Sequence, residues 1–178
     1  LYLDYHFGKK ASAEYVIGTR TNIQNDIPII GPYGVNQKGS GDMYYKGPNI
    51  LHTLRQLVDD DEKWRQILRG LNKDFYHQTV TTNQIEDYLS EKSDKDLSAF
   101  FNQYLRTTMI PILEYKIEDG SIAYRYVDVV EGFDMPIKIS VGDEEKWLFP
   151  TAERKMEKLE GSSKVVFDEN FYIETRKM

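Results

Sequence analysis

The hydrophobic period of this chain changes once, at Pro111, and that change limits the fold more than any other feature of the sequence. Before it, apolar residues recur at helical spacing. Ile50, Leu51, Leu54, Leu57 and Val58 make one stripe, and Trp64, Ile67, Leu68 and Leu71 a second. Leu97, Phe100, Phe101, Tyr104 and Leu105 make a third, an aromatic-rich face suited to core packing. After Pro111, Leu113, Tyr115 and Ile117 alternate with Glu114, Lys116 and Glu118, and Asp119-Gly120 follows as a hairpin turn. Further strands are expected over 122–130, 136–141, 146–149 and 164–167, separated by Gly132, Gly142-Asp143 and Gly161-Ser162. The two patterns together predict an α+β chain in two parts, a mostly α-helical segment over 1–110 and a small β-sandwich over 111–178.

Within the helical part, residues 1–7 read as the end of a helix stopped by Gly8, where a positive φ costs little. A second helix is expected from about Ser12 to Ile23, with Gly18 a poor helix former inside it. Residues 25–43 then hold Pro28, Gly31, Pro32, Gly34, Gly39 and Gly41, a long turn-rich loop of the kind that lines pockets, and Gly39-Ser40-Gly41 reads as a flexible triplet. Pro48 fits a helix only in the first turn, so it ties the start of the next helix to Tyr44 and Tyr45. The acidic run 59–62 suits the N-terminus of the helix carrying Trp64. Thr82 is the expected cap of the following helix, and Ser93 or Asp94 that of the last.

Composition removes several function classes. The net charge of -6 and a pI near 5.2 leave no basic stripe for phosphates, so nucleic acid is not an expected partner, and the excess acidity falls mostly after residue 110. Without cysteine there is no disulfide, thiolate metal site or cysteine nucleophile. No stretch reaches the roughly 18 to 20 apolar residues of a membrane span. His6, His52 and His77 lie too far apart in sequence to share a helical face, so a metal site is not expected within these residues. Gly39-Ser40-Gly41 is no nucleophile elbow, and adjacent acids such as Glu86-Asp87 or Glu144-Glu145 point apart, against a glycosidase pair. Residues alone therefore give no reaction.

One short stretch does suggest chemistry. Tyr44-Tyr45-Lys46-Gly47 opens an amphipathic helix, and the chain later carries Asp96-Leu97-Ser98-Ala99-Phe100-Phe101-Asn102-Gln103-Tyr104-Leu105, then Ile110-Pro111-Ile112-Leu113, Trp147-Leu148-Phe149-Pro150 and Asp168-Glu169-Asn170-Phe171-Tyr172. In this order the series resembles the zinc metallopeptidases of the aminopeptidase N and leukotriene hydrolase family, the gluzincin aminopeptidases. In that family a Tyr-x-Lys-Gly turn supplies a tyrosine to the reacting oxyanion, so the resemblance implies a catalytic role for Tyr44, with Tyr45 the weaker candidate. It implies that 1–110 is the helical C-terminal half of a metallopeptidase catalytic domain and 111–178 an immunoglobulin-like β-domain. The opening Leu1-Tyr2-Leu3-Asp4-Tyr5-His6-Phe7-Gly8 resembles the segment after the family's third zinc ligand. The zinc ligands, the residues gripping the substrate's amino group and the N-terminal domain would then precede residue 1, and this chain would be a truncated fragment that binds no zinc. For the parent protein the resemblance implies zinc-dependent removal of N-terminal residues from a peptide substrate, with a fragment that is inactive alone. The other reading is a non-enzymatic interaction module, in which the helical layer or the sandwich docks a partner chain.

Overall fold

In a computed structural model, which describes residues 2–37, 39–159 and 164–178, five helices precede two small sheets. Helix α1 spans Tyr2–Gly18 but is broken at Gly8, whose φ of 86° and ψ of 163° turn the chain out of the helical path. The expected stop at this glycine is present, but the next helical run starts directly after it, before the expected Ser12, and ends at Gly18 instead of Ile23. A 3-10 turn, Thr19–Asn22, carries the chain into the long loop, and a second, Gly41–Tyr44, leads out of it. Then follow α2 (Lys46–Val58), α3 (Asp61–Asp74), α4 (Thr82–Ser93) and α5 (Ser98–Arg106).

The helix ends follow from local chemistry. Asp60 accepts hydrogen bonds from the Glu62 and Lys63 amides, capping α3, and Asp61 and Glu62 place carboxylates in its first turn. Thr81, one residue before the expected Thr82, caps α4 through a reciprocal box with Gln84. Asp94 closes α4 in the left-handed conformation, φ 57°, rather than opening α5, where Asp96 instead accepts from the Ser98 amide. Gly70 lets α3 approach α4, because a Cβ there would lie 2.2 Å from the Tyr88 hydroxyl, which donates to the Ile67 carbonyl.

Strands β1 (Ile112–Glu118) and β2 (Ser121–Val127) form the expected hairpin about Asp119-Gly120, both at positive φ, and pair from Ile112 with Val127 to Glu118 with Ser121. The remaining strands are β3 (Ile137–Val141), β4 (Glu144–Leu148), β5 (Lys155–Lys158), β6 (Val165–Phe167) and β7 (Glu174–Lys177). One sheet has the order β5-β2-β1-β7, with β7 parallel to β1, and the other β4-β3-β6. β2 ends at Val127 because Asp128 turns at φ 56°. The expected separator Gly161-Ser162 lies outside the described residues. β5 and β7 have no counterpart in the sequence reading. They are edge strands rich in charge, so no buried face imprints alternation on them.

Ile122, Tyr124 and Tyr126 of β2 and Ile137, Ile139 and Val141 of β3 are buried, and the Tyr115 and Phe167 rings meet at 4.7 Å across the sheets. This core continues into Leu54, Leu57, Phe100, Phe101 and Tyr104 of the helices. Buried polar groups close the seam. Tyr104 donates to the Tyr172 carbonyl at 2.5 Å, and the Tyr172 amide donates to Thr53 Oγ1 at 2.9 Å. Gln103 donates to the carbonyls of Met109 and Asp128 and accepts from the Val130 amide. Each satisfies a backbone group that burial would otherwise leave costly. Among the described residues no helix is long and apolar enough to cross a membrane.

Candidate active site

The turn carrying Tyr44 is built by its neighbours. Ser40 is buried, its hydroxyl accepting from the Asp42 amide at 3.1 Å and donating to Asp26 Oδ1 at 2.6 Å, which holds the Asp26 carboxyl below its ordinary value. The Gly39-Ser40-Gly41 triplet is thus a packed cap, and Gly39 is required where it stands: a Cβ would fall 2.2 Å from the Ile29 carbonyl oxygen. Asp42 is also buried, its carboxylate accepting from the amides of Gln24 at 2.9 Å and Asn25 at 2.7 Å. This draws the start of the long loop onto its end. The Tyr45 amide closes the turn on the Asp42 carbonyl at 3.0 Å, and α2 begins at Lys46 with Pro48 in its first turn.

Successive side chains therefore fan apart. Asp42 and Lys46 point inward, whereas Tyr44 is 67% exposed and Tyr45 40%. Lys46, 1% exposed, donates from Nζ to the Thr107 carbonyl at 3.1 Å. Burial lowers its pKa, a shift that the Asp42 carboxylate opposes. One helical turn on, buried Asn49 donates to the carbonyls of Tyr45 and Val16 and to Thr19 Oγ1, and accepts from Arg20 Nε at 2.7 Å. The Arg20 guanidinium continues to the carbonyls of Glu169 and Asn170 and lies over the Tyr172 ring. Burial lowers the Arg20 pKa, offset in part by Tyr104, Tyr172, Glu169 and Asp168. A continuous polar chain thus runs from the β-sandwich to the Tyr44 turn.

The three histidines stay apart in role. His6 sits among the rings of Tyr2, Tyr5 and Phe7, and His77 stacks edge-on to Tyr76 at positive φ. His52 on α2 places Nε2 2.8 Å from Asn170 Oδ1. Among the described residues no group of three or more His, Cys, Asp or Glu side chains is placed to hold a metal. A cleft of about 490 Å³ between α1 and α3 is lined by Asp4, Tyr5, Lys9, Arg65, Leu68, Arg69 and Asn72, and Tyr44 is not among its walls.

Sequence reasoning singled out Tyr44 but missed the buried polar set behind it. Lys46 carried one legible signal: it lies four residues before Ile50, on the upward extension of the apolar stripe of α2. Asp42, Asn49 and Arg20 carried none, because their partners lie at sequence separations of up to 150 residues.

No family model matches the chain, and no curated protein matches it. Among solved structures it is similar to the crystal structure of Legionella pneumophila aminopeptidase A in complex with aspartic acid, with a TM-score of 0.61 and 16% identity. The chain has an aminopeptidase-like fold. The match covers 92% of this chain and 22% of that one, so the chain spans under a quarter of the length of its structural neighbour.

Proposed function

We propose that this chain is part of a zinc-dependent aminopeptidase, with residues 1–110 the helical half of its catalytic domain and 111–178 its β-domain. The observation that carries the reading is the Tyr44 turn: an exposed phenol mounted on a buried, hydrogen-bonded base, within an aminopeptidase-like fold. In this reading the zinc ligands, the grip on the substrate's amino group and the other domains precede residue 1, and the fragment alone does not turn over. Metal chemistry is supplied from there. The contribution of this chain is the Tyr44 hydroxyl, which donates to the oxyanion of the tetrahedral intermediate formed from a peptide's first bond.

The test is hydrolysis of a panel of aminoacyl-nitroanilides by the whole polypeptide, wild type against Tyr44→Phe at matched zinc content. Loss of one such donor typically costs about 2.7–4 kcal/mol of barrier, so kcat is expected to fall by about 10²–10³ with KM little changed. Full turnover in Tyr44→Phe would remove the role from Tyr44. A whole polypeptide without peptidase activity would favour the interaction module instead.

A further inference from the structure

Lys46 is an unexpected residue to find inside the protein. It is 1% exposed, and an apolar side chain of similar length would fill its place without removing an ammonium from water, a transfer that costs several kcal/mol before partners offset it. Its hydrogen-bond acceptor is well chosen for holding something still. Thr107 caps α5, and its hydroxyl donates to the Gln103 carbonyl at 2.6 Å. Gln103 is bound in turn to Met109, Asp128 and Val130 at the seam with the β-sandwich. The carbonyl that Lys46 grips therefore belongs to a segment tied to the sandwich through Gln103. On the other side, Asp42 brings its carboxylate charge near Lys46 while its backbone carbonyl accepts the amide that closes the turn. Tyr44 lies between these two residues in sequence and outside them in space.

We infer that Lys46 is a positioning residue for Tyr44: its ammonium, anchored on the Thr107 carbonyl, fixes the turn that presents the Tyr44 hydroxyl to the reacting oxygen. The inference rests on the aminopeptidase reading and deepens it. A residue kept for geometry and one kept only for stability differ in where protection is lost when Lys46 is replaced by Met. Removing the ammonium while keeping the stem orphans the Thr107 carbonyl and leaves the Asp42 carboxylate without the cation near it, so some global stability is lost in either case, whereas only the positioning role loosens the turn ahead of the rest of the helix. In the 178-residue chain, Lys46→Met is expected to speed hydrogen exchange at the Tyr45 amide by about tenfold more than at the Leu54 amide inside α2. In the whole polypeptide, Lys46→Met should lower kcat by about tenfold at constant KM, and it should cost little more when added to Tyr44→Phe, since it acts through that hydroxyl.

An equal loss of protection at Tyr45 and Leu54 would overturn the inference, as would unchanged exchange at Tyr45 or additive losses in the double variant. Where the Lys46→Met chain does not fold, its exchange and turnover are not read. In that case the wild-type chain still decides by nitrogen-detected NMR of its lysines: a slowly exchanging Lys46 ammonium coupled to Thr107 supports the anchor, and solvent-averaged behaviour sinks it. Failure of the aminopeptidase reading is seen separately, as full turnover by Tyr44→Phe.

Discussion

His52 is half-buried on α2, with Asn170 on its Nε2 and the cations Arg55 and Arg20 nearby, and Asp168 the facing anion. Burial lowers its pKa most, the two arginines lower it further, and Asn170 and Asp168 only partly oppose them. The folded protein thus favours neutral imidazole, whereas the unfolded chain binds a proton near the ordinary value of about 6.5. This contribution to stability is present in full above that value and is lost as the pH falls through it toward the folded pKa, because the unfolded state then takes up the proton first. His52→Gln, which removes the proton, should flatten the fall of the urea midpoint between pH 7 and pH 5. An identical pH profile in both proteins would show that His52 does not couple to folding. Nothing in the sequence marked this histidine over the other two, since its surroundings come from Arg20 and from residues 168–170.

Among the elements, close packing and capping give sharper expectations. Gly70→Ala would drive a methyl into the Tyr88 hydroxyl and off the Ile67 carbonyl, so α3 and α4 must separate, at about 1–3 kcal/mol in urea unfolding. Tyr88→Phe removes the obstructing atom, so the double variant should lose less than the sum of the two single changes. Additivity would mean that the helices part for another reason. Thr81→Ala, which opens the capping box of α4, should cost about 1 kcal/mol by the same measurement. Elements with a buried face and a local signal were legible in the sequence: α2, α3 and α5 from their stripes, the β1–β2 hairpin from alternation, and the break at Gly8. Caps shifted by one residue or changed helix because Thr81 and Thr82, or Asp94 and Asp96, offer similar chemistry and only the backbone path selects between them. β7 was hidden for a different reason, since its pairing with β1 joins residues 62 apart through backbone groups that any sequence supplies.

At the scale of the whole molecule, the change at Pro111 marks a change of secondary structure, but the packing does not stop there. Leu54, Phe100 and Tyr104 share one apolar cluster with Leu113, Tyr126 and Phe133, and the Gln103 and Tyr104 bonds cross the seam. Two halves sharing a core to this extent should unfold together, although their secondary structures would suit separate domains. The chain contains two tryptophans, Trp64 buried in α3 and Trp147 on β4, which makes the question measurable one half at a time. In single-tryptophan variants, Trp64→Phe and Trp147→Phe, the fluorescence transition in urea should coincide with the loss of helical circular dichroism measured on the same variant. Gln103→Leu tests the seam itself. It takes the side-chain partner from two carbonyls and an amide at the part-buried seam, at about 1–3 kcal/mol for each group that water does not reach, and it should move the transitions seen by both tryptophans to lower urea by the same amount. If only the Trp147 transition moved, the sandwich would be an independent domain leaning on the helices. The polar chain from Glu169 and Asn170 through Arg20 and Asn49 to the Tyr44 turn would then hold only while the two domains stay docked.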